Sequence, residues 1–242
     1  MFANSSPRWL SFLPAVLLTA SVLGAEPASD PNSILQPSLL QRLRDSRLDT
    51  QTVAVRFTQT KQLALLDVTL TSEGWIFYQR PESMRYEILS PVRSLLMHDG
   101  KQVRNYAFSE GAWKKLRSPA ADAIGKVMQQ IGHWLQGDFT TGQKMFVLSV
   151  APDEQGLGAI VLTPRDKALT EFIERIELRV EADPVRVTRV GIRETAEDIT
   201  TLVFRQECHN RALPEGTFTQ PEASAACQLF FEESAPSDPN AQ

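Results

Sequence analysis

Two cysteines and three histidines are all that this 242-residue chain offers to soft-metal, thiol or imidazole chemistry. No C-x-x-C or H-x-x-x-H spacing joins them. His209 adjoins Cys208, but His98 and His133 lie far off in the sequence, so a zinc site is not supported. The G-x-S-x-G elbow, the H-E-x-x-H helix and the glycine-rich phosphate loop are all missing, which argues against the enzyme classes they mark and points to no enzyme at all. An excess of positive charge is missing too: 25 Lys and Arg stand against 29 Asp and Glu, a net charge of −4, and nucleic-acid binding is not expected. There is no internal repeat, no low-complexity block and no apolar run long enough to span a bilayer as a helix.

The main apolar run, Trp9 to Leu23, is broken by Ser11, Pro14, Thr19 and Ser21. Arg8 precedes it and Gly24 and Ala25 follow, the layout of a secretory signal peptide over residues 1–25. Leu23 fits poorly two residues before the cut, and a retained anchor is the alternative. No cysteine follows the run, so the chain is not lipidated there. Without Arg8 the balance is 24 basic to 29 acidic residues, a net charge of −5. Residues 26–32 carry two prolines and residues 234–242 are Ser, Pro, Asp and Asn in the main; the first is expected to be flexible and the second disordered. Between them, residues 33–233 suffice for one domain with a real core. In an exported chain an even cysteine count reads as a disulfide, Cys208 to Cys227. Closing a loop of about 20 residues would add roughly 3 kcal/mol in the chain-entropy model.

Periodicity then separates helix from strand. Leu39, Leu40, Leu43 and Leu48 fall near helical spacing after Pro37, which predicts a short amphipathic helix over 37–48. From Val53 the period is two: Val53, Val55 and Phe57 alternate with Ala54, Arg56 and Thr58, and Leu66, Val68 and Leu70 with Asp67, Thr69 and Thr71. Further strands are read at 74–80, 85–89, 94–98 and 102–108, punctuated by Arg80-Pro81, Ser90-Pro91 and the hairpin pair Asp99-Gly100. The period changes once, where Ile124, Val127, Met128, Ile131, Trp134 and Leu135 recur at three- and four-residue steps. Ser118 and Pro119 can start that helix and Gly137 can stop it. Strands resume at 144–150, 158–163, 172–181, 185–193, 199–206 and 228–231, with a turn at Ala182-Asp183-Pro184. A curved antiparallel sheet of about eleven to twelve strands, wrapped on helices that bury its inner face, is the expected architecture.

Three segments resemble the LolA family of outer-membrane lipoprotein carriers: "VRFTQ" at 55–59, "GWIFYQRPESMRYEILSP" at 74–91 and "HDGKQVRNY" at 98–106. A looser likeness runs from "IVLTPRD" at 160–166 through the strands of 173–192 to "GTFTQP" at 216–221. The resemblance implies an unclosed antiparallel β-barrel with an α-helical lid over an apolar cavity. Expected at that cavity are Phe57, Ile76, Tyr78, Met84 and Tyr86 from strands, with Ile124, Met128, Ile131, Trp134 and Leu135 from the mid-chain helix. By position, Arg80 resembles the family arginine that latches the lid at the cavity mouth, a task suited to five N–H donors in a fixed fork. The chain departs from the family where Tyr86 replaces a frequent Trp, where Arg85 adds a charge beside it, and in its cysteine pair.

What the likeness implies is a monomeric periplasmic carrier without cofactor. It would take acylated lipoprotein from an inner-membrane ABC-type releasing complex and pass it to a LolB-like outer-membrane acceptor. Each methylene exposed to water costs about 0.8 kcal/mol, so such cargo needs a cover. A lid that competes with cargo for the cavity would make release possible without a nucleotide. A glycolipid or polyene lipid is the alternative cargo. The alternative role is a periplasmic sensor or assembly factor that binds a lipid or protein ligand.

Overall fold

The computed structural model describes residues 39–116, 119–151 and 158–233. The expected signal peptide, the segment 26–32, the tail 234–242 and the Ser118 cap lie outside the described residues. Helix α1 occupies residues 39–45 and buries Leu39 and Leu43. Eleven strands follow in one sheet. The first six are β1 (Thr52–Leu63), β2 (Val68–Gln79), β3 (Ser83–Ser90), β4 (Ser94–Asp99), β5 (Val103–Ser109) and β6 (Ala112–Leu116). After helix α2 (Pro119–Leu135) come β7 (Phe146–Ala151) and β8 (Ala159–Pro164). A single helical turn, α3 (Lys167–Thr170), leads into β9 (Ile173–Ala182), β10 (Val185–Glu194) and β11 (Ile199–His209), and α4 (Ser224–Glu232) ends the described chain.

The strand order is β6-β5-β4-β3-β2-β1-β11-β10-β9-β8-β7, antiparallel throughout, and β6 is not paired with β7. The barrel is therefore unclosed, as expected. Every neighbour is also a neighbour in sequence except β1 and β11, which join the two halves from Val53↔His209 to Gln62↔Ile199. The period-two residues do what their pattern demands. Val53, Val55, Phe57, Ile76, Tyr78, Ile176, Leu178, Val180, Leu202 and Phe204 form one buried cluster on the inner face, each side chain worth about 1.5–3 kcal/mol relative to exposure. Trp75 and Phe77, between the inner residues of β2, belong to a second, smaller cluster on the outer face.

Helix α2 lies across the inner face against β2–β5 and β10. It approaches closely because Gly132 has no side chain: a Cβ there would come within 2.2 Å of the Tyr78 ring. Gly137 follows at φ +69°, the left-handed conformation that ends a helix.

Three readings need correction. The segments read as separate strands around 66–71 and 74–80 are one strand, β2, because Ser72 and Glu73 continue the ladder opposite Gln59 and Thr58. Residues 228–231 are not a strand but part of α4, whose Ser224, Cys227, Phe230 and Phe231 fall three and four apart on its buried side. The edge strand β6 was not read, since its mostly exposed sequence AWKKL carries no alternation of buried and exposed residues.

Candidate functional site

Most residues expected at a cavity form solid core instead. Phe57, Ile76, Tyr78, Met84, Ile131, Trp134 and Leu135 are all buried in the inner cluster, and Trp134 packs edge-on to Phe146 at 5.8 Å. The side chain of Ile124 lies outside the described residues. Open space remains where α2 faces the β9–β10 side of the sheet. There a cavity of about 360 Å³ is walled by Tyr86, Ile88, Val127 and Met128 on one side and by Leu169, Phe172, Ile173 and Ile192 on the other. Of the expected residues whose side chains are described, only Tyr86 and Met128 border it. The β9–β10 wall was missed. Its residues alternate like any strand, and nothing local distinguishes a wall from core.

Polar groups gather at one side of this cavity, where Gln59, Lys61, Ser94, Glu194 and Thr200 also line it. Lys61 Nζ donates to Glu194 Oε1 at 2.8 Å and lies 3.8 Å from Asp198 Oδ2, while Thr200 Oγ1 donates to Glu194 Oε1 at 3.0 Å. The Tyr86 hydroxyl donates to Gln59 Oε1 at 2.5 Å, and its ring stacks on Phe57 at 5.0 Å. Burial holds the Tyr86 phenol well above its ordinary range, so it stays a neutral donor. An apolar pocket with a collar of paired donors and acceptors suits an acyl chain whose polar end stays at the rim.

The sequence matches the family model for the outer membrane lipoprotein carrier protein LolA over residues 49–221. This chain belongs to the LolA family. No curated protein matches it. Among solved structures, this LolA-family chain is similar to a DUF1329 family protein from Desulfovibrio piger at 10% identity and a TM-score of 0.47, with 81% of this chain and 99% of that one covered. It is similar to a LolA superfamily protein from Nitrosomonas europaea at 14% identity and TM-score 0.42, covering 76% and 97%. The lipoprotein LppX of Mycobacterium tuberculosis is similar at 12% identity and TM-score 0.40, covering 74% and 98%.

Among the described residues Arg80, the expected latch, makes no hydrogen bond to α2, although its charge bears on His133 of that helix. The Arg80 Nε donates to Thr50 O at 2.7 Å and its backbone N–H to Gln51 O at 3.0 Å, so it ties the end of β2 to the turn behind α1. The end of α2 in this LolA-family chain is tethered by other groups. The Tyr78 hydroxyl donates to Pro81 O at 2.5 Å, and its oxygen is left to accept from His133 Nδ1–H at 3.1 Å. Asp138 Oδ2 stands 3.7 Å from the same nitrogen. Burial alone would raise the Asp138 carboxyl, but hydrogen bonds from Thr141 and Thr140 outweigh it and hold the group at about 2. Tyr78 is held well above the ordinary phenol range, first by burial, which is the opposite of what a nucleophile needs.

Burial likewise lowers His133, with Asp138 and Glu82 pulling against the shift and Arg80 adding to it. Below its ordinary value near 6.5 the unfolded chain takes up a proton at this position before the folded chain does. Its contribution to stability is therefore full above about pH 6.5 and is lost as pH falls toward the lowered value in the fold. The expected result is a flatter fall of urea midpoint between pH 7.5 and 5 in His133→Gln than in the parent chain; parallel curves would show that the tether does not titrate.

On the outer face a second arginine, Arg85, fastens a different segment, the one that leads into α4. Both Arg85 and Glu87 have 0% exposed side chains. Arg85 Nε donates to Glu87 Oε2 at 2.9 Å, Nη1 to Thr217 O and Gln220 O at 3.1 and 3.0 Å, and Nη2 to Pro221 O and Ser224 Oγ at 3.0 and 2.8 Å. Glu87 accepts further bonds from Trp75 Nε1 and Ser224 Oγ at 3.0 and 2.6 Å. All five N–H groups of the guanidinium are thus used, and they pin the segment that carries α4 over Trp75 and Phe77.

The cysteines are free thiols, not the expected disulfide. Cys227 faces Thr217 Oγ1 at 3.9 Å in the α4 cluster, while Cys208 packs at the cluster's margin on β11. Burial pushes the Cys227 thiol up to about 11, so it behaves as a small apolar side chain. Hydrogen bonds from Arg85 and aromatic packing of Phe231 on Trp75 at 5.9 Å hold the segment without a covalent staple.

Proposed function

We propose that this chain is a periplasmic carrier that shields the acyl chains of lipoproteins, or of a related lipid, between the inner and outer membranes. An ABC-type lipoprotein-releasing complex would be its donor and a LolB-like protein its acceptor. The observation that carries this reading is the cavity of about 360 Å³ between the sheet and α2, apolar on two walls and polar at its collar. At about 30 Å³ per methylene-sized group, the cavity takes roughly a dozen carbons. Burying them gains about 10 kcal/mol before ordering costs. A lipoprotein has more chain than that, so full loading requires α2 to leave part of its seat on the sheet. The helix and the cargo then compete for the same apolar surface, and the return of α2 favours release. Buried groups left without partners ease that exchange: Trp134 Nε1, Gln130 Nε2 and Gln136 Nε2 have no hydrogen-bond partner among the described residues.

The test is titration of the purified chain with a fatty acid bearing an environment-sensitive fluorophore, followed by displacement with a palmitoylated peptide. Saturable uptake with displacement is the expected result. A chain that takes up neither probe is not a carrier of acyl groups.

A further inference from the structure

Four of the eleven large apolar side chains exposed among the described residues fall within six consecutive positions: Leu65 at 94%, Leu66 at 65%, Leu70 at 50% and Val68 at 44%. They occupy the end of the β1–β2 hairpin, where the ladder runs to Leu63↔Val68 and a short 3₁₀ turn, Ala64–Leu66, reverses the chain. This hairpin outreaches the rest of the sheet on the β2 side. Strand β3 pairs with β2 only as far as Glu73↔Ser90, so residues 68–72 have β1 as their single strand neighbour. The arm is braced along its β1 side, with Leu65 and Leu66 left exposed: the Ala64 N–H at the start of the tip turn donates to Asp198 Oδ1 at 3.0 Å and Lys61 pairs with Glu194.

Position relative to the cavity decides what the arm is for. Val68 and Leu70 share the parity of Ile76 and Tyr78 and so stand on the inner face. Leu70 is the cross-strand partner of Lys61, which lines the cavity. Phe172, another wall of the cavity, is itself 49% exposed. An apolar strip therefore continues from the cavity's polar collar to a tip roughly 10 Å beyond it. From Gln62 to Leu66 the tip carries no charge, the exposed Asp67 closes its turn, and the one cation behind it is already paired with Glu194.

We propose that this hairpin tip docks the chain on a lipid bilayer by inserting Leu65 and Leu66 among the acyl chains, which sets the collar at headgroup depth and the cavity mouth toward the membrane. The proposal rests on the cavity being a lipid site, and because the one charged residue of the tip, Asp67, is acidic, docking needs no anionic lipid.

The experiment is vesicle flotation of the full chain with phosphatidylcholine vesicles and with vesicles containing phosphatidylglycerol, comparing it with the double variant Leu65→Ser, Leu66→Ser. Both side chains are exposed, so the variant keeps its fold, checked by unchanged uptake of the fluorescent fatty acid without vesicles. Flotation at least as strong on phosphatidylcholine as on phosphatidylglycerol vesicles, and an affinity about 30-fold lower in the variant on phosphatidylcholine, are expected, the latter being the effect of half-burying two leucines. Equal flotation of variant and parent overturns the proposal. So does a parent chain that ignores both vesicles, which would assign the tip to an apolar groove on a protein. Flotation by a chain that takes up no fatty acid would keep the docking tip and overturn the carrier reading instead.

Discussion

Replacing Arg85 with methionine is expected to lower the unfolding free energy by about 3–5 kcal/mol, the range for breaking a buried ion pair by removing one partner. The size follows from what the guanidinium leaves behind. Glu87 keeps donors from Trp75 Nε1 and Ser224 Oγ, but its carboxylate stays fully buried without its close cation. Arg93 reaches Glu87 only at 3.3 Å and from a partly exposed position. Three carbonyls, of Thr217, Gln220 and Pro221, each lose a charged donor, and Gln220 O keeps only the Ala223 N–H at 3.2 Å. The damage should concentrate at α4, so limited proteolysis should cut between residues 210 and 232 before the sheet is touched. The double replacement Arg85→Met, Glu87→Leu should recover much of the loss, because it removes the uncompensated charge. Urea midpoints and the proteolytic pattern decide both points. An Arg85→Met chain as stable as the parent would show that the network is not what fastens the segment.

Trp134→Ala carries the second large effect, and its two readouts should move in opposite directions. Truncating a tryptophan that is 1% exposed leaves a void between α2 and Phe146 and should cost about 3–5 kcal/mol of stability. If α2 must yield before a full acyl load enters, the contacts removed belong to the closed arrangement alone. Affinity for the fluorescent fatty acid should then hold or rise while the urea midpoint falls. Affinity that falls along with stability would mean that Trp134 belongs to the lipid site itself and that α2 does not compete with cargo.

How far the sequence was legible depended on how local each signal is. The alternation through Val53, Val55 and Phe57 and the helical spacing of Val127, Met128, Ile131 and Trp134 are short-range patterns, and the structure follows them. The cavity was less legible, because whether an apolar residue meets a neighbour or open space depends on strands far apart in sequence. Phe57 and Ile88 have the same chemistry, yet one is packed under Tyr86 and the other borders the void. Arg85 appeared only as an unwelcome charge beside Tyr86. Apart from Glu87 two positions on and Met97 on the neighbouring strand, its partners lie 132–139 residues away, beyond the reach of any local pattern. The strand expected at 228–231 failed for a related reason: four apolar or amide residues fit either period, and only the outer-face pocket over Trp75 and Phe77 selects the helix.

The single seam between β1 and β11 has a consequence for how the chain reaches this state. Each half of the sheet, β1 to β6 and β7 to β11, is a meander of neighbouring hairpins that can zip from its own turns, with only short loops to close. Joining Val53 to His209 requires instead that segments more than 150 residues apart find one another. Contact order thus places the rate-limiting search at the middle of the finished sheet, not at its rims. Until that search succeeds, both long central strands expose a free edge, β1 on one meander and β11 on the other. The hydroxyl and charged residues Thr58, Thr60 and Lys61, facing Val203, Thr201 and Thr200 across the seam, keep that pair of waiting edges from being uniformly apolar.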